Sequence, residues 1–353
     1  MGETAPTSFP AAPRNVGPVS TSRSLLTLLG GALLAAVLAA VALSPAAGVA
    51  GLAAARTSET MESNLADLTD GSAPGVTTVT DVEGNPIAWI YDQRRYQVPG
   101  DRIAQPMKDA IVSIEDRRFY EHEGVDLQGT VRAMAANLVS GGVAQGASTL
   151  NQQYVKNHLL LVDADTDEER AAATETSIPR KLREMRMASD LDKVLSKDEV
   201  LTRYLNLVSF GNGAYGVEAA ARTYFNSSAA ELNVPQAAML AGIVQSSSWL
   251  DPYTNGEAVI ERRNTVLDSM VDYGALDPAA AEAFKAEPLG VVEEPIGLPN
   301  GCISAGDRGF MCDYALTYLE SKGISHEMLT HGSYTVRTTL DPQIQDAAHD
   351  AVA

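Results

Sequence analysis

No charged residue occurs between Arg23 and Arg56, and the heart of that gap, Ser24 to Leu43 ("SLLTLLGGALLAAVLAAVAL"), carries only apolar and small side chains. About 20 such residues in helical form cross the hydrocarbon core of a bilayer, and a helix satisfies every backbone N–H and C=O internally while doing so. The segment therefore predicts a membrane anchor over residues 24–52, which confines everything after it to one side of a membrane. A buried core helix is a poor competitor, being rarely apolar all round at an extreme N-terminus. A cleaved leader competes better, because "SPAAGVAGLAAA" has small-residue cleavage sites. Leaders, however, carry apolar regions of only about 7–15 residues. Arg14 and Arg23 precede the span and the following segment is acidic, so the N-terminus is expected in the cytoplasm and the bulk of the chain outside.

The 353 residues are long enough for two domains, and 45% hydrophobic with 20% charged residues is ordinary globular composition. A net charge of −19 excludes a general nucleic-acid binder, which needs a basic surface to neutralise phosphates. That charge is uneven. From Arg94 to Arg203 there are 16 basic and 18 acidic residues, so this stretch contributes −2 and the remainder −17. A region kept comparatively basic suits an anionic ligand. The two cysteines, Cys302 and Cys312 in "GCISAGDRGFMC", have no nearby histidine and make a poor zinc site. In an oxidising compartment they would close a short loop; in the cytosol they would stay thiols.

Along the chain, residues 1–23 are rich in Pro, Ser, Thr and Ala and read as a cytoplasmic tail, and residues 53–78 as a polar connector. "VTTVTDVEGNPIAWIYD" alternates β-branched and polar residues around "EGNP", a hairpin signal. From Pro106 the period becomes helical, with Ala110, Ile111 and Ile114 on one face of "PMKDAIVSIEDRRFY". An amphipathic helix follows over Leu127 to Leu138. "TLNQ" then fits a capping box, with Thr149 as N-cap and Gln152 reaching back. An acidic insert, Val162 to Ser177, separates this from "IPRKLREMRMASDL", and helical patterns continue to about Pro288. The later segment is richer in loops, with a helix around Asp313 to Ser321 and a strand then a helix in "GSYTVRTTLDPQIQDAAHDAVA". The expected fold class is mainly α.

Three clusters carry chemistry. In "IEDRRFYEHEG", a helix ending near Asp116 places Glu115 at the partially negative end of the helix dipole, beside a second acid. Both effects disfavour ionisation and raise the pKa, as a general acid or base near neutrality requires. Local composition equally allows a solvated helix end. A metal site from Glu115, Asp116 and His122 lacks a further ligand at the right spacing. The second cluster is Gln152, Gln153 and Lys156 near a helix N-terminus, with the hydroxyls of Ser148 and Thr149, a setting that holds anions or sugars but also serves simple capping. The third is "RKLRE": Arg180, Lys181 and Arg183 as a basic cluster for a diphosphate, with Glu184 oriented by it. An ordinary i,i+4 surface pair of Arg180 with Glu184 explains the same spacing.

Taken in order, "EDRRFYEHEG", "GASTLNQQYVKN", "RKLRE", "KDEVLTRYLNLVSFGNGAYGVEAAARTYF" and "RRNTVLDSM" resemble the five successive motifs of the peptidoglycan glycosyltransferases, the polymerase domains of class A penicillin-binding proteins and their monofunctional relatives. The resemblance covers about Val79 to Gly274 and is similar in style to actinobacterial members. It implies a lysozyme-like, mostly α domain over residues 79–288 on the outer face of the cytoplasmic membrane, followed at 289–353 by a linker leading into a transpeptidase region. The reaction it implies extends a lipid-linked glycan by adding lipid II, with inversion to a β-1,4 bond. By that resemblance Glu115 and Glu184 are the catalytic residues, Glu115 as general base on the acceptor 4-hydroxyl. Asp116, Phe119, Ser148, Gln152, Lys156, Arg180 and Lys181 bind substrate. His122, Gly124, Tyr204, Asn206 and Gly216 are architectural. No cofactor is required; a Mg or Mn ion on the diphosphate is left open. Partners implied are lipid II, the growing lipid-linked glycan, the membrane and other cell-wall synthesis proteins.

Three departures from the family pattern stand out. Ala147 occupies the place of a second glycine, the acidic insert leaves Arg170 as a weak basic candidate, and "QSSSWLDP" lacks the usual proline. No lysine lies three residues after a serine and no "KTG" occurs, so the penicillin-reactive residues are absent from these 353. A lysozyme-like muramidase using Glu115 as acid, and a catalytically silent membrane scaffold, are the alternative readings.

Overall fold

A computed structural model of the chain describes residues 68–69, 73–131, 148–164 and 166–352. The segments expected as a cytoplasmic tail and as an anchor at 24–52, most of the expected connector, and Ala147 lie outside the described residues. So does most of the helix expected over Leu127 to Leu138, of which 127–131 are helical. Among the described residues no helix is long and apolar enough to cross a membrane.

The hairpin forms where "EGNP" places it. Strands β1 (Thr77–Thr80) and β2 (Pro86–Ile90) pair antiparallel, Thr77 opposite Ile90 and Val79 opposite Ala88. The Asp81 carboxylate closes the turn by accepting from the backbone N–H of Glu83 and Asn85 at 2.9 and 2.8 Å. A short strand β3 (Arg94–Arg95) then pairs in parallel with β4 (Ala214–Tyr215).

The described helices of the body are α1 (Gln105–Glu115), α2 (Leu150–Leu161), α3 (Asp167–Thr174), α4 (Ile178–Val194), α5 (Lys197–Leu207), α6 (Val217–Phe225), α7 (Val234–Ile243), α8 (Gly256–Tyr273) and α9 (Pro278–Lys285). α7, "VPQAAMLAGI", starts on a capping box of Asn233 and Gln236 and is buried from Ala237 to Ile243. Fully burying Met239, Leu240 or Ile243 contributes about 1.5–3 kcal/mol each. α1 and α8 pack against α7 and against each other, and α2 packs against α4 and α5. The site is built where these two helix groups meet. α3 begins on a capping box of Thr166 and Glu169 and buries no side chain, so the acidic insert forms an exposed helix.

Arg95 joins the loop before α1 to the end of α5. It is buried, donates to the backbone carbonyls of Asn206 and Leu207 at 2.9 and 3.0 Å, and lies over the Tyr215 ring. A cation there answers the unsatisfied carbonyls at a helix C-terminus. Asn206 ties the same end to Val98, accepting from its N–H and donating to its C=O at 2.9 Å each, which makes it architectural as expected.

The C-terminal segment holds α10 (Gly309–Ser321), α11 (His326–His331), β5 (Thr335–Arg337) and α12 (Pro342–Val352). β5 returns to pair in parallel with β1, giving the sheet order β2-β1-β5. Val79, Ile87, Ala88 and Ile90 of the hairpin share a separate small core with Cys312 and Leu329. The hairpin thus packs with the segment that follows residue 289, not with the helical body that follows it in sequence. Cys302 and Cys312 are disulfide-bonded beside this core. Closing so short a loop contributes about 2–3 kcal/mol in the chain-entropy account. Changing both cysteines to serine is expected to lower the melting temperature; differential scanning calorimetry of the two forms checks it.

Candidate active site

Glu115 stands on the last turn of α1, and its side chain is 16% exposed. One carboxylate oxygen, Oε2, accepts from Gln153 Nε2 at 2.7 Å, and the other lies 3.8 Å from Arg262 Nη2 on α8. Its pKa is raised, first by burial and to a lesser degree by Asp116, while Gln153 and Arg262 oppose the rise. The expected direction holds. The leading cause, however, is desolvation by the packing of other helices rather than the neighbouring acid.

The two adjacent acids diverge. Asp116 caps α1, and its Oδ2 accepts from His122 Nε2 at 2.8 Å and from the Leu150 N–H at 3.0 Å. It ties the first motif to the N-terminus of α2, where a helix favours a negative charge. Phe119, expected to contact substrate, is fully buried, edge-on to Tyr120, with Lys197 Nζ 5.0 Å from its ring centroid. Both residues support the wall behind Glu115, and neither offers an exposed surface. Gly124 is architectural for a backbone reason: its φ is +78°, and a Cβ there would sit 2.3 Å from the Ala188 carbonyl oxygen.

The N-terminus of α2 carries the second and third clusters together. The capping box of Thr149 and Gln152 forms as read from "TLNQ". Lys181 Nζ donates to Ser148 Oγ at 2.6 Å and to Gln152 Oε1 at 3.3 Å, so α4 reaches across to the start of α2. Lys181 also lies 3.6 Å from Glu184 Oε2, and Arg180 is bonded to the other oxygen of Glu184. The i,i+4 pair is therefore not an ordinary surface pair. Glu184 is buried and holds the two cations, while Lys156 is exposed. The Lys181 pKa is lowered, chiefly by burial, with Arg180 and Lys156 adding to the shift and Glu184 opposing it. Arg183 is exposed, and Arg170 pairs with Asp167 on the exposed α3 at 3.3 Å.

Arg262 and Tyr204 were not read as site residues from the sequence, and Gln153 was read only with the anion-holding cluster, not as a partner of Glu115. Gln153 is the second of two consecutive glutamines and Arg262 the first of two consecutive arginines. Successive positions on a helix point about 100° apart, and only packing selects one of each pair. Arg263 turns the other way and holds the end of α9, donating to the Lys285 and Glu287 carbonyls at 3.0 and 2.7 Å. Among the described residues no group of three or more His, Cys, Asp or Glu is placed to hold a metal ion. A cavity of about 420 Å³, lined by Tyr154, His158, Arg203 and Asn206 among others, includes neither Glu115 nor Lys181.

The family model described as Transglycosylase matches residues 83–271. Penicillin-binding protein 1A of Mycolicibacterium smegmatis is 36% identical over 290 residues, covering 80% of this chain and 35% of that protein. Penicillin-binding protein 1A of Mycobacterium tuberculosis is 35% identical over 285 residues, covering 79% and 33%. Penicillin-binding protein 1F of Bacillus subtilis is 32% identical over 276 residues, covering 78% and 36%. The chain spans about a third of the length of these relatives. With more than half of its residues inside the family match, the chain belongs to the transglycosylase family.

Proposed function

We propose that the protein is a peptidoglycan glycosyltransferase that polymerises lipid II into β-1,4 glycan strands. One observation carries the reading: α2 joins a buried carboxylate of raised pKa, Glu115 through Gln153, to a basic cluster, Lys181 through Ser148 and Gln152. A base for a hydroxyl and a cation set for a departing diphosphate are the two needs of glycosyl transfer from a lipid diphosphate.

In the proposed step the 4-hydroxyl of the acceptor sugar gives its proton to Glu115 as its oxygen attacks the anomeric carbon of the donor. The bond to the diphosphate breaks on the opposite face, so the configuration inverts. The bonding pair leaves on the diphosphate oxygen, where Arg180 and Lys181 neutralise it. Glu184 acts by holding those two cations, with Ser148, Gln152 and Lys156 flanking the sugar and diphosphate. Residues 24–52 would anchor this site beside its lipid substrate, with residues 1–23 in the cytoplasm, 53–78 as connector, the catalytic domain at 79–288 and the linker at 289–353. Other cell-wall synthesis proteins are the partners such a placement would bring within reach.

The test supplies the full chain with lipid II and, separately, with finished peptidoglycan. Glycan strands from the first, blocked by moenomycin, with no cleavage of the second, are the expected result. Release of muropeptides from the second without polymer from the first would sink the reading in favour of a muramidase.

A further inference from the structure

Tyr204 lies on α5, a different helix from both Glu115 on α1 and Gln153 on α2. Its side chain is fully buried, and its hydroxyl donates to Gln153 Oε1 at 2.9 Å. Gln153 passes the contact on, donating from Nε2 to Glu115 Oε2 at 2.7 Å. Three helices thus meet in one directed chain of hydrogen bonds that ends on the carboxylate.

The direction of that chain depends on the amide. A glutamine side chain has a donor end and an acceptor end of nearly the same shape, exchanged by a half-turn of its last torsion. Beside an ionised carboxylate the donor end is favoured. Once the carboxyl has taken a proton, that preference is lost, because a carboxylic acid donates to the amide oxygen just as readily. A flipped amide would then stabilise the protonated acid and slow its reset. The buried Tyr204 hydroxyl finds its one hydrogen-bond acceptor among the described residues in Gln153 Oε1, so a flipped amide would leave the phenol proton unpaired, and that cost opposes the flip. The Tyr204 pKa lies well above that of an ordinary phenol because its ring is buried and Glu115 is near, so the hydroxyl keeps its proton across the working range.

We propose that Tyr204 is a positioning residue: its hydroxyl latches the Gln153 amide with the NH2 end toward Glu115, so that the carboxylate is presented as a base in every cycle. The inference rests on the reading of Glu115 as the general base. The charged and titratable groups facing that carboxylate are Arg262 on α8, Asp116 at the end of its own helix, and Tyr204 itself. α7, packed along α1, has no titratable side chain. None of the others replaces a lost latch, since Arg262 meets the opposite oxygen and Asp116 is committed to His122 and Leu150.

The experiment measures pH–rate profiles for lipid II polymerisation by the full chain as wild type, Tyr204→Phe, Gln153→Leu and the double variant, with Glu115→Gln alongside. Tyr204→Phe is expected to lower the neutral-pH rate about tenfold, the scale of one buried hydrogen bond to a charged network. Its acid limb should move to higher pH. Gln153→Leu should do the same, and adding Tyr204→Phe to it should change nothing more, because the phenol acts only through the amide. An acid limb left in place, or an equal loss from Tyr204→Phe in both backgrounds, would mean that the hydroxyl merely supports the fold and would overturn the proposal. An inactive Glu115→Gln with a wild-type-like Tyr204→Phe defeats the latch alone. A fully active Glu115→Gln defeats the reading beneath it.

Discussion

Replacing Glu115 by glutamine is expected to reduce lipid II polymerisation by about 10³-fold while leaving the fold at least as heat-resistant near neutral pH. The first part follows from the proposed role of Glu115, since a general base contributes about 10²–10⁴-fold. The second follows from its raised pKa. The folded chain holds the Glu115 proton more tightly than the unfolded chain does. Ionising it in place therefore costs stability that starts to be lost as pH rises past the unfolded pKa, and the loss is complete above the folded one. Glutamine carries none of this cost. The variant's melting temperature should match or exceed that of the wild type at neutral pH, and the advantage should fade in acid, where Glu115 is protonated in both states. Turnover and thermal melts at two pH values check both halves. A variant that polymerises normally would leave the site without its base.

Replacing Lys181 by methionine is expected to lower turnover by about 10²–10³-fold, the scale of losing one preorganised group that stabilises transition-state charge. Methionine keeps the unbranched apolar stem but removes the ammonium that bridges Ser148 and Gln152. The Lys181 side chain is 37% exposed, so little stability should be lost with its ion pair to Glu184. Its lowered pKa gives a second signature. As pH rises through that pKa the cation is lost, so the wild type should show an alkaline limb that the methionine variant lacks. Lys181→Arg, which keeps the charge, should recover part of the rate. Steady-state kinetics across the pH range separates these outcomes, and an unchanged alkaline limb in Lys181→Met would assign that limb elsewhere.

Much of the local structure could be read from short stretches because its causes are short-ranged. The hairpin at "EGNP" closes on bonds within four residues of Asp81, and the Thr149–Gln152 capping box spans three. Pro106 opens α1 and Asp116 ends it within a residue or so of the positions expected. The grouping of Lys181 with Ser148 and Gln152 needed the order of the motifs, since 33 and 29 residues separate the partners. The pairing of β1 with β5 had no local signal. Thr78 meets Thr335 only because the hairpin and the C-terminal segment bury a common core around Cys312.

The division inside the site follows the same line. Residue types, motif order and helix ends were legible in the amino-acid sequence alone: an acid at the end of α1, a capped helix N-terminus, a basic triplet with Glu184 one turn on. Tertiary packing decided what each member of an adjacent pair meets. It turned Glu115 toward Gln153 and Asp116 toward His122, set Arg262 rather than Arg263 across from Glu115, and buried Glu184 beneath its two cations. The physical reason is that a helix forms through bonds four residues apart, whereas the direction of a side chain acquires meaning only from what packs against it. The raised pKa of Glu115 and the hydroxyl of Tyr204 two hydrogen bonds away both arise from helices far apart in the chain.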